Sequence, residues 1–287
     1  MKIVSDALDA LRPLFENGGR LALWRPVFHA ADNFFFSAVD KTTHVPFGRD
    51  PLEIKRYMSL VILALMPSFI SSVCFFGLRV VIMIIVAYVA GGVVEVLFAV
   101  IRKEEINEGF LVSGFIFPLI LPPGLPLWMV AVGMVFGILI GKEIFGGTGR
   151  NLFNPALLGR CFLALGYPAA MTRTWLEPSG VSWRNIFSNI SLGAPDAVTS
   201  ATPLVLAKRG ELTEIFELFV GRVAGSAGET SAVAILVGGL FLVWIGIAHW
   251  RTVVGVLASF VCLSSVLRAA YPGQVSPILF NLLSGGV

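Results

Sequence analysis

Residues 80–101 read VVIMIIVAYVAGGVVEVLFAVI, and this run constrains how the rest of the chain folds. A single charged residue, Glu95, interrupts it, together with the glycine pair Gly91 and Gly92. A helix of about 20 apolar residues is long enough to cross the hydrocarbon core of a bilayer. The run therefore predicts a membrane-spanning helix that carries an ionisable group and a point of close approach.

The composition of the whole chain agrees with this prediction. Of 287 residues, 56% are hydrophobic and 14% are charged, and the mean hydropathy is +0.84. Soluble domains carry about 25% charged residues. The net charge is +3, and no basic run alternates with aromatic residues as a nucleic-acid surface requires. The three cysteines and three histidines show no disulfide or metal-ligand spacing.

Further apolar runs predict an all-α polytopic membrane protein in four segments. We expect a cytoplasmic or interfacial amphipathic leader at residues 1–56, a first group of about five transmembrane helices at 57–170, a periplasmic loop at 171–229 and a second, shorter group of helices at 231–287. The predicted spans besides 80–101 are residues 57–77, 108–121, 125–141, 152–170, 231–248 and 252–270.

Charge asymmetry predicts the orientation. Short cytoplasmic flanks of membrane helices carry an excess of Lys and Arg. With the N-terminus in the cytoplasm, the outer short flank holds only Arg79, and the 171–229 loop lies outside. The residues predicted on the cytoplasmic side are Arg102, Lys103, Lys142, Arg150 and Arg251.

Glu95 is the first candidate functional residue. A charge at the centre of a membrane helix costs about 2.5–3.5 kcal/mol even on the mildest scale, so the carboxylate should face protein or water. A protonated or hydrogen-bonded helix contact is the simpler interpretation. Gly91 and Gly92 allow a backbone or a flat ligand to approach closely, although the sequence alone favours small-residue helix packing.

A glycine-rich segment supplies the second candidate. Residues 146–154 read GGTGRNLFN, and Asn151 and Asn154 are three positions apart. On a starting helix this spacing places both amides on one face, where they suit the polar edge of a planar ring. A glycine-rich cap of a membrane helix is the alternative.

The third candidate precedes the predicted span 231–248. Small and hydroxylated residues at a helix N-terminus favour anion binding, and an ordinary N-cap is the alternative. Arg160, inside the predicted span 152–170, needs a counter-charge, which Asp196, Glu229 or a bound phosphate would supply. The residues of this N-terminus are Gly225, Ser226, Gly228 and Glu229.

The 171–229 loop contains DAVTSATPL, residues 196–204. Pro203 biases Thr202 toward an extended backbone, and the small neighbours leave its hydroxyl accessible. Taken alone, such a segment is a common Ser/Thr/Pro loop.

This segment resembles the flavin-attachment motif (Asp, two residues, Ser/Thr, Gly, Ala, Thr) of a known family. The family comprises the NqrB subunits of sodium-translocating NADH:quinone oxidoreductases and the RnfD subunits of Rnf electron-transport complexes. The resemblance implies that a flavin transferase joins FMN through its phosphate to Thr202. This sequence departs from the motif at Ser200, where the family has glycine. The matching positions are Asp196, Thr199, Ser200, Ala201 and Thr202.

The resemblance also implies roles for the other candidates. It implies non-covalent riboflavin at Asn151 and Asn154 and sodium uptake involving Glu95. It implies a bacterial inner-membrane complex with subunits A, C, D, E and F, and an inverted-repeat fold whose second repeat stops short at residue 287. The residues implied near ubiquinone are Gly91, Gly92, Trp24 and Glu108.

The sequence therefore predicts a redox subunit that passes electrons from FMN through riboflavin to quinone, coupled to sodium export. The length of the leader and the sequence of residues 151–160 favour the sodium-pump subunit over RnfD. A secondary transporter with broken helices and a passive scaffold without a cofactor are the alternatives from other functional classes.

Overall fold

The computed structural model describes residues 54–102, 109–147, 149–178, 201–271 and 275–286. Five predicted site residues lie outside these ranges, so their predicted roles stay predictions: Trp24, Glu108, Asp196, Thr199 and Ser200.

The described residues form helices joined by short turns, without a β-strand, which confirms the all-α fold class. The seven longer helices are α1 (Ile54–Phe76), α2 (Arg79–Arg102), α3 (Gly109–Leu119), α4 (Leu127–Gly141), α5 (Pro155–Gly166), α9 (Ala232–Ile245) and α10 (Trp250–Ala270). The short helices are α6 (Pro168–Arg173), α7 (Pro203–Lys208), α8 (Ile215–Val220) and α11 (Ile278–Asn281), with a 3₁₀ turn at Glu143–Phe145 and a π-helical turn at Leu282–Gly286.

Four helical segments of the described ranges are long and apolar enough to cross a membrane, so the chain is a multi-pass membrane protein. Helices α3, α5 and α9 are also apolar but shorter, at 11, 12 and 14 residues. The predicted span 152–170 contains α5 and the start of α6, which meet at Tyr167 and Pro168. Proline has no amide hydrogen and clashes with the preceding turn, so α5 ends there. The four segments are Tyr57–Phe76, Arg79–Arg102, Leu127–Phe145 and Trp250–Ala270.

Helix α4 lies at the centre of the first group of helices and packs against α2 and α5. Its glycines permit this close packing. A Cβ atom at Gly137 would lie 2.2 Å from the carbonyl oxygen of Pro155, and one at Gly159 would lie 2.5 Å from that of Gly133. Helix α9 packs on α1 in the same way, with Gly238 against the backbone of Ala64. Small residues at helix contacts are typical of membrane proteins, where van der Waals contact replaces the hydrophobic driving force.

Candidate functional site

A cluster of charged side chains lies where the C-terminal ends of α2 and α4 meet. The ammonium of Lys142 donates a hydrogen bond to Glu95 Oε1, and it lies 3.9 Å from Glu143 Oε1. Arg102 Nη1 lies 3.2 Å from Glu143 Oε2, and the Arg102 guanidinium also bonds to the Glu143 backbone oxygen. We call these four residues the inner charge cluster. It places two carboxylates and two cations in continuous contact.

Burial makes the inner charge cluster chemically unusual. Glu95 is 4% exposed and Lys142 is 3% exposed. Glu95 Oε2 has no hydrogen-bond partner among the described residues. A charge is stable away from water only when it is paired, and the Glu95–Lys142 ion pair meets this need. The sequence pattern predicted a role for Glu95 but indicated Lys142 only as a marker of orientation.

A signal for this pair was present in the sequence. Charged residues inside membrane segments usually pair with one another. Glu95 and Lys142 have opposite signs, and both approach the C-terminal ends of consecutive inward-running spans. Depth alone does not single out Lys142, because Arg102, Lys103 and Arg150 are predicted on the same side. The packing of α2 against α4 selects Lys142 as the partner.

The structure assigns different neighbours to the two adjacent glycines. A Cβ atom at Gly91 would lie 2.7 Å from the side chain of Ile138, so this glycine permits α2–α4 packing. Gly92 instead faces the ring of Phe110, at 3.4 Å from the same hypothetical atom. Phe110 makes an edge contact with Tyr88, with ring centroids 5.6 Å apart. Helix packing therefore explains Gly91, and only Gly92 borders an aromatic surface.

The predicted amide pair is arranged differently from expectation. We expected Asn151 and Asn154 to share one face of a starting helix, and this was wrong because α5 begins only at Pro155. Asn154 is the N-cap, and its side-chain oxygen accepts from the amides of Ala156 and Leu157 at 3.0 and 3.4 Å. Asn151 lies in the preceding turn.

The side-chain oxygen of Asn151 accepts from the amide of Gly149 at 3.0 Å. The side-chain nitrogens of Asn151 and Asn154 make no hydrogen bond to a described residue. Leu152 and Phe153, between them in sequence, are both exposed. The segment thus offers two amide donors beside an exposed apolar surface.

Three predicted residues meet at a cavity of about 390 Å³ between α1, α3, α5 and α9. Arg160, Gly228 and Glu229 line it, and most of the remaining wall is apolar. Arg160 is half-buried, and it forms no ion pair with any described carboxylate. The carboxylate of Glu229 accepts from Ser226 Oγ at 2.7 Å. Glu229 is therefore not in direct contact with Arg160 and does not supply the counter-charge that we expected for it.

The N-terminus of α9 is bonded within the protein. Ser231 is its N-cap, and Ser231 Oγ accepts from the amide of Ala234 at 3.4 Å. Just before it, the amides of Ala227 and Gly228 donate to the carbonyls of Leu121 and Leu119 at 3.0 and 2.7 Å. These contacts fasten the segment that contains Gly225 to the end of α3. Ser231 is therefore an ordinary helix N-cap, which was the alternative to an anion site in the sequence analysis.

Thr202 has the extended backbone that Pro203 predicts, with φ −64° and ψ 153°. It occupies the N-cap position of α7, yet its side chain makes no capping bond. Threonine at this position normally accepts from an amide of the first turn. Thr202 is half-buried, and its hydroxyl makes no hydrogen bond to a described residue.

The two neighbours of Thr202 line a pocket of about 250 Å³. Ala201 and Pro203 form one side of this pocket, and Arg222 is its cation. Two carboxylates, Glu177 and Glu217, also line it. A phosphate ester at the neighbouring hydroxyl would pair with the guanidinium of Arg222, and it would be repelled by the two carboxylates.

The fold and these sites define a multi-pass helical membrane protein with buried charge between its helices and a half-buried threonine beside a polar pocket. Comparison with known proteins makes this more specific. The chain belongs to the NQR2, RnfD, RnfE family, whose profile matches residues 41–287.

Several similar proteins are named as the B subunit of Na(+)-translocating NADH-quinone reductase. The one from Azotobacter vinelandii is 35% identical over 99% of this chain and 80% of its own length. That of Pseudomonas paraeruginosa is 33% identical over 97% of this chain and 79% of its own length. That of Neisseria meningitidis serogroup B is 33% identical over 91% of this chain and 74% of its own length.

Proposed function

We propose that this protein is the membrane electron-transfer subunit of a sodium-translocating NADH:quinone reductase. It would carry covalent FMN and bound riboflavin and deliver electrons to ubiquinone, in a bacterial inner membrane, together with subunits A, C, D, E and F. The observation that carries the proposal is Thr202: a threonine at an N-cap whose hydroxyl makes no cap bond, in a chain of this family.

Two groups support an FMN phosphate at this position, namely the hydroxyl of Thr202 and the guanidinium of Arg222. The hydroxyl oxygen is the atom that the flavin transferase would esterify, and it makes no capping bond to α7. Arg222 lines the adjoining pocket and would pair with the phosphate through charge-assisted hydrogen bonds. When bound, the flavin supplies the ability to accept and donate electrons, while the protein supplies position and local polarity.

The Asn151–Asn154 segment fits a second planar ring in part. Two side-chain nitrogens would donate to ring carbonyls, and the exposed side chains of Leu152 and Phe153 would cover a ring face. Because Asn154 Oδ1 caps α5, that oxygen does not accept from a ligand. The segment therefore supports riboflavin through donors rather than through the donor–acceptor pair expected from sequence.

Gly92 and the aromatic pair Tyr88 and Phe110 are the described groups that support a quinone nearby. Because Gly92 has no side chain, nothing at that position covers the neighbouring ring of Phe110. Aromatic rings can stack against a quinone head group. The hydroxyl of Tyr88 donates to the carbonyl of Leu111 at 2.7 Å and so holds the aromatic pair in place.

Glu95 is the residue that we propose for the sodium path. It is a buried carboxylate near the inner end of α2 with one oxygen free of described partners. Sodium is a hard cation, and carboxylate oxygens suit such ions. The relatives' names favour this pump over an Rnf complex, since those compared are all named for the sodium-translocating enzyme.

The test is in-gel fluorescence of the denatured protein after coexpression with its flavin transferase. We expect a fluorescent band for the wild type, and a dark band for Thr202→Ala. Thr213→Ala is a matched control, because Thr213 lines the same pocket without being the acceptor, and its band should stay fluorescent. A dark wild-type band of unmodified mass would remove the proposal and favour a transporter or a scaffold.

A further inference from the structure

One ammonium group lies between two buried carboxylates in the inner charge cluster. Lys142 Nζ bonds to Glu95 Oε1, and Glu143 Oε1 is 3.9 Å away. Hydrogen bonds of this type need about 2.7–3.2 Å, so a movement of about 1 Å brings the ammonium into contact with Glu143. A lysine side chain has rotatable bonds along its whole stem. Glu143 is therefore a second acceptor within reach of the same cation.

The charges restrict what else Glu95 can bind. With Lys142 in contact, the Glu95 carboxylate is already neutralised by a cation that cannot diffuse away. A second cation on the same carboxylate would face the ammonium at short range, where low dielectric makes repulsion strong. Glu95 Oε2 is buried and accepts no hydrogen bond from a described residue. The single negative charge of this carboxylate is nevertheless not enough to hold two cations.

We infer that Lys142 is a built-in competitor for the transported cation at Glu95. The ammonium occupies Glu95 when the cation is absent, and it moves to Glu143 when a monovalent metal ion takes its place. This rests on the proposed role of Glu95 in the sodium path, and it adds a residue and a mechanism to that role. Both states keep each carboxylate paired. In the second state Glu143 faces two cations, and Arg102, whose side chain is 26% exposed, keeps part of its charge in contact with solvent.

Arg102 positions the carboxylate that Lys142 contacts in the second state. It contacts Glu143 through the Oε2 oxygen at 3.2 Å and through the backbone oxygen, and Lys142 lies 3.9 Å from the other carboxylate oxygen, Oε1. Arg102 also lies over the Phe98 ring, with its central carbon 5.1 Å from the centroid. The guanidinium thus holds Glu143 in place while Lys142 changes partner.

The experiment titrates NaCl into the purified, complete complex, with choline chloride keeping the ionic strength constant. Two properties are followed: the sodium concentration that gives half-maximal quinone reduction, and the thermal unfolding midpoint, which rises when an ion binds the folded state. The variants are Lys142→Met, which removes the competitor, Glu143→Gln, which removes its alternative acceptor, and Lys142→Arg, which keeps the charge.

The two charge-removing variants should shift in opposite directions. Lys142→Met should lower the half-saturating sodium concentration by about fivefold or more, the lower end of typical coupling between sites, and should steepen the sodium dependence of unfolding. Glu143→Gln should raise that concentration, because Lys142 then stays on Glu95. Lys142→Arg should not lower it. General loosening of the helices would move both charge-removing variants the same way.

An unchanged sodium requirement in Lys142→Met, or a shift of Glu143→Gln in the same direction, would overturn the inference. If Lys142→Met does not assemble, Glu143→Gln decides alone, and a wild-type sodium requirement in that variant refutes the exchange. Covalent-flavin fluorescence of the same preparations keeps the two proposals separate. A dark band with the expected sodium shifts removes the Thr202 assignment, and a fluorescent band without them removes Lys142.

Discussion

The guanidinium of Arg79 donates from Nε to the carbonyl oxygen of Pro123 at 2.7 Å, across the turn that joins α3 to α4. The same side chain donates to Leu125 at 2.9 Å, and Arg79 is 1% exposed. Backbone carbonyls in an irregular turn need such donors when they are shielded from water. The basic residue predicted on the outer short flank is therefore part of the fold rather than a solvated charge.

Replacing Arg79 should weaken the packing of this turn. Arg79→Met removes the donors and leaves buried carbonyl oxygens unpaired, at about 1–3 kcal/mol for each such group. Thermal unfolding of the detergent-solubilised protein should show the loss. Arg79→Lys keeps one charged donor but not the planar fork, so its unfolding midpoint should lie between those of Arg79→Met and the wild type. Equal midpoints for the two variants would contradict the role of the fork.

The contact between α4 and α5 depends on a missing side chain at Gly137. Gly137→Ala would place Cβ 2.2 Å from the carbonyl oxygen of Pro155, and overpacking of this kind costs about 1–3 kcal/mol. Gly239→Ala in α9 is the control, because nothing lies within 4 Å of that position. Its stability should stay within about 1 kcal/mol of wild type. Comparable losses in both variants would show that the α4–α5 contact is not the cause.

The positions of the long apolar helices were predictable from the composition of the sequence. The runs 57–77, 80–101 and 252–270 agree with α1, α2 and α10 to within a few residues, because long apolar runs have no other stable structure in lipid. The extended backbone of Thr202 was also predictable, since the steric effect of Pro203 is local.

Features that depend on packing were not predictable in the same way. Helix α5 begins only at Pro155, so Asn151 and Asn154 do not lie on a shared helical face. The rule that residues three positions apart lie on one face applies only within a helix. Lys142 and Glu95 are 47 positions apart, so only the crossing of α2 and α4 brings them together. The different neighbours of Gly91 and Gly92 likewise follow from which helix lies on each side.

The Glu95–Lys142 ion pair should show strong energetic coupling. Lys142→Met alone leaves a buried carboxylate without its cation, which typically costs about 3–5 kcal/mol. Adding Glu95→Gln removes that uncompensated charge, so the double variant should be more stable than the sum of the single losses by about 0.5–3 kcal/mol. A double-mutant cycle of unfolding free energies in sodium-free buffer measures this. Additive losses would mean that the two side chains do not interact.

The orientation in the membrane is testable at two exposed positions. Arg102 contacts Glu143, so α2 and α4 end on the same side, as the charge asymmetry requires for a cytoplasmic inner charge cluster. Arg150 lies on that side, before α5, and Glu211 lies within the 171–229 loop, which is periplasmic in the predicted topology; both are exposed. In a variant without Cys74, Cys161 and Cys262, each position is replaced by cysteine.

An impermeant maleimide added to cells with a permeabilised outer membrane should label Glu211→Cys at once. Arg150→Cys should react only after the inner membrane is disrupted. Labelling of both before disruption would mean that α5 does not separate them across the bilayer. The reverse order would invert the protein and place Thr202 in the cytoplasm, where a transferase acting on the outer side does not reach its hydroxyl. Because the two positions lie on either side of α5, a single pair of reactions determines the side of the inner charge cluster and the side of Thr202.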